Sequence, residues 1–386
     1  MERRSISACL CVLAVAMLAG AAPALAIPTA APQSAPLATW QARGRVSALA
    51  IANGIVYLGG SFTQLESHGT RRTVTRMHLA AINEATGAPT AWNPNVNGPV
   101  QVIRVIGKRV YVGGSFTSIG GRNVRNLAVV GSGSGRVVAG FQGSVNGTVG
   151  ALAASATTLY VGGSFSAVDG RARANLGAVA LGNGALDTNW RVTANGAVHT
   201  LLDAASLKRV FIGGKFTRID AVSRTDLASV GQKLGTLRTW ASAPLGQVWS
   251  LALGGSSALY AAVGGHQGGQ LDSFDPGSGA LRWNRFADGD VQAVSTSGNI
   301  VFAGGHFLNA CATNQGGGNP WVCTQPVARN RFFATDLSGA LLPWDPEGNS
   351  LYGVWALRSD VGHIVAGGDF TIVDAVHQAR FAEFLR

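Results

Sequence analysis

One twelve-residue stretch restricts the fold of this chain more than any other feature. Residues 110–121 read Val-Tyr-Val-Gly-Gly-Ser-Phe-Thr-Ser-Ile-Gly-Gly, and close copies begin at Val56, Leu159 and Val210. Weaker copies cover residues 259–267, 301–307 and 364–370, with Gln267 in place of the Phe in the first of these. The seven Gly-Gly pairs start at Gly59, Gly113, Gly162, Gly213, Gly264, Gly304 and Gly367. A unit that recurs every ~40–50 residues and is rich in short β-favouring runs cannot bury its apolar face alone, and needs neighbours of its own kind.

That period predicts an all-β, seven-bladed β-propeller with four-stranded antiparallel blades. In the second repeat the expected strands are residues 100–105, 110–116, 127–131 and 137–142, because Val, Ile and Tyr suit pleated, packed surfaces. A Gly-Gly pair inside a strand marks a bulge or the close approach of another backbone or ring. Most fourth strands carry one aromatic, namely Trp92, Phe141, Trp190, Trp240, Trp283 and Trp344. One ring per repeat at a fixed place reads as a wedge between blades rather than a ligand platform. An Arg recurs before the third strand (Arg125, Arg173, Arg224, Arg380), and loop ion pairs with Asp169, Asp220 and Asp374 are expected. The seventh repeat stops after its third strand, while Thr39, Trp40 and Gln41 look like an orphan fourth strand. Pairing the two would close the ring and remove two sheet edges.

Residues 1–26 have the pattern of an export signal: Arg3 and Arg4, an apolar run over residues 6–20, and Ala24-Leu25-Ala26 as a small-x-small cleavage site. The apolar run is too short for an anchor, so cleavage after Ala26 and a secreted protein without membrane insertion are expected. A twin-arginine route is the alternative, although the residues that usually surround the pair are missing. Residues 27–38, rich in Pro and Ala, read as a disordered linker, and residues 39–386 as the propeller. The net charge is +11, about +10 without the leader. No run of like charges or reader motif accompanies it, which argues against nucleic acid. Cys311 and Cys323 remain after cleavage and should form a disulfide in an oxidising compartment, worth about 3 kcal/mol. Two cysteines lack a second ligand pair for zinc.

The blade sequence Gly-Gly-Ser-Phe-Thr-x-Ile-x-Gly, then Leu-Ala-x-Val, then Trp92-Asn93-Pro94, resembles the delta-60 repeat β-propellers. The resemblance covers essentially the whole chain after the leader and implies a secreted or surface protein of bacterial type. It carries over no catalytic residues. The fifth repeat departs from the pattern by lacking the Phe-Thr-x-Ile turn, and the sixth by inserting the Cys311–Cys323 loop.

In a repeat protein the positions that differ between copies are the better functional candidates. Two such positions should meet at one rim of the central channel. The residue after Gly-Gly runs Ser61, Ser115, Ser164, Lys215, His266, His306, Asp369. The residue after the opening Val runs Ser47, Gln101, Gly150, His199, Trp249, Gln292, Trp355. Titratable and aromatic groups gather in the fourth to seventh repeats, which points to His199, Lys215, Trp249, His266, His306, Trp355 and Asp369 as a ligand site, walled by the disulfide loop. Stacked tryptophans suit a sugar, and His266, His306 and Asp369 could reach a metal only with favourable rotamers, so no metal and no cofactor are assigned. Asp272, Asp275, Asp288 and Asp290 read as acidic turns. No nucleophile elbow, zinc-helix or phosphate-loop motif occurs. The expected role is a monomeric binding or scaffold module for carbohydrate or a surface protein, with a polymer-acting enzyme and a structural subunit of a surface assembly as alternatives.

Overall fold

The computed structural model describes residues 31–386, apart from 241, 243, 256, 266, 267, 313–322 and 324. The leader therefore lies outside the described residues. So do His266 and most of the Cys311–Cys323 loop.

The repeats fold as expected up to their third strand. In the first, Val46–Ala52 pairs with Ile55–Gly60, which pairs with Leu79–Asn83, all antiparallel. The same three-strand order recurs in six further sheets, with inner strands Val100–Ile106, Thr148–Ala154, Ala197–Ala204, Gln247–Gly254, Asp290–Ser297 and Val354–Ser359. Each inner strand lies against the next in chain order, and Val354–Ser359 lies against Val46–Ala52.

Outside the fifth repeat, the two glycines of a pair have different reasons to be there. A Cβ on Gly113 would sit 2.5 Å from Val149 Cγ1 in the next sheet, and one on Gly59 the same distance from Val100 Cγ1. Gly367 in the last sheet stands in this way against Val46 of the first, at 2.6 Å. The first glycine thus lets neighbouring sheets touch. The second faces a backbone carbonyl of its own inner strand: Pro99 for Gly114, Arg45 for Gly60. There the inner strand bulges.

The fourth strand is where expectation and structure part. In most sheets it shrinks to one bridge, such as Val130↔Val137 or Val179↔Leu186, and the chain then peels away. The departure delivers the aromatic wedge. The indole of Trp92 donates to Gly131 O of the following sheet at 2.8 Å, and Trp190 to Gly231 O at 3.3 Å. Trp92 also meets Tyr57 edge-on, with centroids 5.1 Å apart. Among the described residues, only the fifth sheet keeps a full fourth strand, Leu281–Ala287. Its missing Phe-Thr-x-Ile turn lets Ala258–Gly265 return directly into Gly268–Phe274.

In the other repeats that motif builds a small hairpin, for example Ser118–Ile119 with Arg122–Asn123. The incoming chain bridges to it at Val96↔Ile119 and Val145↔Val168. The expected Arg–Asp ion pairs do not form among the described residues. Arg173 and Arg224 donate to the carbonyls just before them, and Asp169 and Asp220 accept the Ser144 and Thr193 amides of the incoming chain. Both aspartates have φ near +50°, so their side chains serve the turn they occupy. Asn126 and Asn175, also at positive φ, tie the Phe116 and Phe165 amides to the carbonyls of Val145 and Ala194.

The end of the chain meets its beginning earlier than the sequence suggests. The Gln33 amide donates to Leu385 O at 2.9 Å and the Leu37 amide to Glu383 O at 2.7 Å. Trp344 donates to Gln33 O at 3.0 Å, as the other wedges do to their following sheets. Residues 33–37, assigned to the linker, therefore lie along Phe381–Leu385, whereas Gln41–Ala42 pairs with Leu65 and Glu66. Trp40 packs where first and last sheets meet, with Val56, Ile82, Val365 and Phe381. The attachment uses backbone groups, which apolar composition does not report. Cys311 and Cys323 are disulfide-bonded, bracing the hairpin of Asn309–Cys311 and Pro326–Ala328.

Candidate functional site

All seven inner strands carry a register shift one residue after their opening Val, opposite the Gly-Gly pair in six sheets and opposite Ala262 and Val263 in the fifth. The extra residues are Ser47, Gln101, Gly150, His199, Trp249, Gln292 and Trp355. A bulge re-aims the side chain it carries. Here the seven copies turn toward one another and, with Arg45, line a single cavity of about 260 Å³. The position after the opening Val is thus the rim of the channel, as the alignment of repeats predicts.

Three of these side chains form a continuous aromatic wall. His199 stacks on Trp249 with centroids 4.5 Å apart and planes 10° from parallel. Trp249 meets Trp355 edge-on at 5.6 Å. Trp355 Nε1–H donates to Asp369 Oδ2 at 3.0 Å, and Arg45 Nε reaches the same oxygen at 2.6 Å. The Arg45 guanidinium lies 5.0 Å from the Trp355 centroid and 5.7 Å from that of Tyr352, a cation–π arrangement. Asp369 therefore holds both groups in place rather than facing the cavity. Trp249 Nε1 and Gln292 Oε1 are buried without a hydrogen-bond partner in the protein. Burial lowers the pKa of His199, outweighing its hydrogen bond to Val248, and Lys215 adds repulsion. The imidazole is neutral at neutral pH.

Below the mouth the channel turns cationic. Arg358 borders both the mouth region and a deeper cavity of about 440 Å³ that Arg104 also lines. Both guanidinium-bearing residues keep substantial accessible surface, yet protein crowds them on all sides. Desolvation, then the charge of Arg104, pushes Arg358 down to about 10. Asp203, hydrogen-bonded to Gln232, acts on Arg104 from the neighbouring wall.

Of the seven residues singled out by sequence, His199, Trp249 and Trp355 line the cavity, and Asp369 buttresses it. Lys215 and His306 are exposed at the ends of their strands and are not among the lining residues. His266 lies outside the described residues. The residue after Gly-Gly sits one step past the bulge, exposed in Lys215 and His306 and turned against Trp355 and Arg45 in Asp369. Arg45 was missed, and the signal was available. It precedes the opening Val, where other repeats place Pro99, Thr148, Ala197, Gln247, Asp290 and Gly353. Asp272 is no turn residue: it lies 2% exposed within Gly268–Phe274. Asp275 does cap a turn, accepting the Gly277 and Ser278 amides.

The architecture has counterparts among solved structures. The WD40 repeats of RRP9 superpose with a TM-score of 0.61 at 10% identity, covering 92% of this chain and 99% of that one. The WD40 β-propeller domain of Doa1 gives 0.55 at 11%, covering 91% and 96%. The computationally designed Ika8 protein gives 0.50 at 14%, covering 90% and 98%. No family model and no curated protein sequence matches the chain. At these identities the likeness establishes the fold, and the chain is a β-propeller. Among the described residues no helix is long and apolar enough to cross a membrane.

Proposed function

We propose that the protein is an exported binding module of the delta-60 repeat type. Its seven sheets are the blades of one ring closed by residues 33–42, and its ligand sits at the mouth of the channel. The convergence of seven bulge residues on one cavity carries this reading, because a bulge repeated for folding alone does not require His, Trp and Trp on one side. The ligand class we assign is a carbohydrate. The aromatic wall offers stacking surface, and the unpartnered Trp249 N–H and Gln292 carbonyl offer the donor and acceptor that a hydroxyl needs. Arg104 and Arg358 below favour an acidic sugar. Export rests on the pattern of residues 1–26 and agrees with the disulfide.

A glycan screen followed by calorimetry on the best binder tests the proposal. Trp249→Ala and Trp355→Ala should each weaken binding by about 10- to 100-fold, or ~1–3 kcal/mol, while Lys215→Ala leaves it unchanged. A sugar bound equally well by both tryptophan variants would place the site elsewhere. A protein partner at the same mouth is the second reading, favoured by Leu351 and Tyr352, exposed to 77% and 62% near Arg45. Leu351→Ser would impair a protein partner and spare a sugar.

A further inference from the structure

A second group of polar side chains stands where the first and seventh sheets meet, away from the mouth. Glu84 follows the third strand of the first sheet, Leu79–Asn83. Asp360 and His363 belong to the turn between Val354–Ser359 and His363–Gly368, and Glu383 to Phe381–Leu385. The imidazole of His363 is their centre. Its Nδ1 lies 3.1 Å from Glu84 Oε1 and 4.0 Å from Asp360 Oδ1, and its Nε2 lies 3.9 Å from Glu383 Oε1. Ligand atoms of Glu84, Asp360 and His363 all fall within 4.8 Å of one another.

The charges here do not balance. Three carboxyl groups face one imidazole, so acids outnumber the base three to one. Burial, then repulsion from Asp360, raises the pKa of Glu84. Burial, then Glu84 and Asp360, pushes Glu383 up to about 7.

Glu383 is the observation that turns a cluster of acids into a site. Its side chain is 0% exposed, and neither carboxylate oxygen has a hydrogen-bond partner. A buried, unpartnered carboxylate is costly, and packing does not call for it. Opposite Val365 it occupies the place held in the other sheets by Ala81, Val129, Ala178, Ser229, Ser273 and Ala334. It points at the far nitrogen of the one histidine in the cluster.

We propose that Glu84, Asp360 and His363 form a divalent-cation site, the carboxylates giving one oxygen each and His363 its Nδ1, with Glu383 accepting the Nε2 proton from behind. Such a carboxylate–histidine–metal arrangement fixes the imidazole tautomer and strengthens it as a ligand. Asp360 is set in advance, because its Oδ1 accepts the Gly362 and His363 amides at 2.8 Å each. One nitrogen and two oxygens suit zinc or manganese, with water completing the shell, better than calcium, which collects six to eight oxygens. The ion would supply the missing positive charge and join the first sheet to the last. It shares no residue with the channel mouth, so it stands or falls independently of the ligand proposed there.

The test is calorimetric titration of the purified protein, stripped with EDTA, against zinc chloride, manganese chloride and calcium chloride separately. One zinc or manganese ion per chain is expected, with calcium bound at least ten-fold more weakly. Cobalt should give a visible absorption band that zinc abolishes. Asp360→Asn and Glu84→Gln should each weaken zinc binding more than ten-fold, and Glu383→Gln about 10- to 100-fold by removing the charge that orients the His363 ring. Asp360→Asn keeps the oxygen that forms the turn, so it decides the matter if Glu84→Gln fails to fold. Absence of saturable one-to-one binding below millimolar zinc would overturn the proposal, as would wild-type affinity in Asp360→Asn.

Discussion

Replacing Asp272 by Asn should make the protein more stable as pH rises, and by an amount the structure sets. Asp272 lies in Gly268–Phe274 between Ala261 and Asn284 on the flanking strands, 2% exposed, with Oδ1 unpartnered. Desolvation pushes its pKa from 3.8 up to about 8. Below about pH 4 both folded and unfolded chains hold the proton, and the group costs nothing. Between about pH 4 and about pH 8 the unfolded chain releases it while the folded chain keeps it. Stability then falls by about 1.4 kcal/mol per pH unit, reaching a loss of about 4 kcal/mol at neutral pH. Above about pH 8 the penalty levels off. Asn has the same shape and no proton to lose, so it removes the slope. Urea melts of wild type and Asp272→Asn from pH 4.5 to 8.5 would read the difference directly, with other titrating groups cancelling in the subtraction. The gap between them should widen by several kcal/mol from pH 4.5 to pH 8. A difference that stays flat across this range, or a wild type that gains stability over the variant with rising pH, would refute the desolvation argument.

Two further outcomes follow from packing. Gly113→Ala puts a Cβ 2.5 Å from Val149 and 2.6 Å from Val102 and should cost ~1–3 kcal/mol, whereas Gly133→Ala, with open space around it, should fall within about 0.5 kcal/mol of wild type. Equal thermal midpoints for the two variants would remove the sheet-contact explanation of the first glycine. A variant beginning at Ala38 should lose about 3 kcal/mol, because it strips the partners of Leu385, Glu383, Trp344 and Asp345; an unchanged urea midpoint would show that residues 33–37 do not hold the last sheet.

The repeat made the mouth legible because equivalent positions in equivalent sheets must meet around a common axis. Aligning the residues after the opening Val therefore located His199, Trp249 and Trp355 without coordinates. Lys215 and His306, placed at the rim by the same alignment, do not line the cavity. It shows that two positions are equivalent across repeats, but not which side of the bulge faces inward. The N-terminal attachment was hidden for another reason, since Gln33 and Leu37 bind through backbone amides that Pro/Ala composition does not advertise. Asp272 and Glu383 left a trace that went unread. Aligned third strands put small residues such as Ala128 and Ala228 where Asp272 stands, and Ala81 and Ala178 where Glu383 stands. A buried acid at a position that the other copies give to uncharged, mostly small residues is a stronger departure than a change on the exposed rim, because burial makes it expensive.

The contact between first and last sheets differs from the other contacts between neighbouring sheets in one physical respect. Successive sheets are joined by the chain itself, so their relative concentration is fixed by a short linker. The first and seventh sheets have no peptide between them and must be held by side chains and strand pairing. The special features of this chain gather there. Arg45 of the first repeat meets Asp369 of the last at the mouth, Gly367 admits Val46 midway, and Glu84 meets His363 at the far end. The Arg45–Asp369 ion pair is partly buried, and such a pair loses more than an exposed one when one partner is removed. Arg45 also stacks on Trp355, so the residue that joins the two sheets shapes the binding cavity as well. On the proposed function, ligand binding at the mouth and the integrity of the seam are therefore coupled through one guanidinium. Arg45→Ala should lower the stability of the free protein and, separately, its affinity at the mouth. Asp369→Asn, which keeps an acceptor for the Trp355 indole while removing the charge, should lose most of the first effect and little of the second.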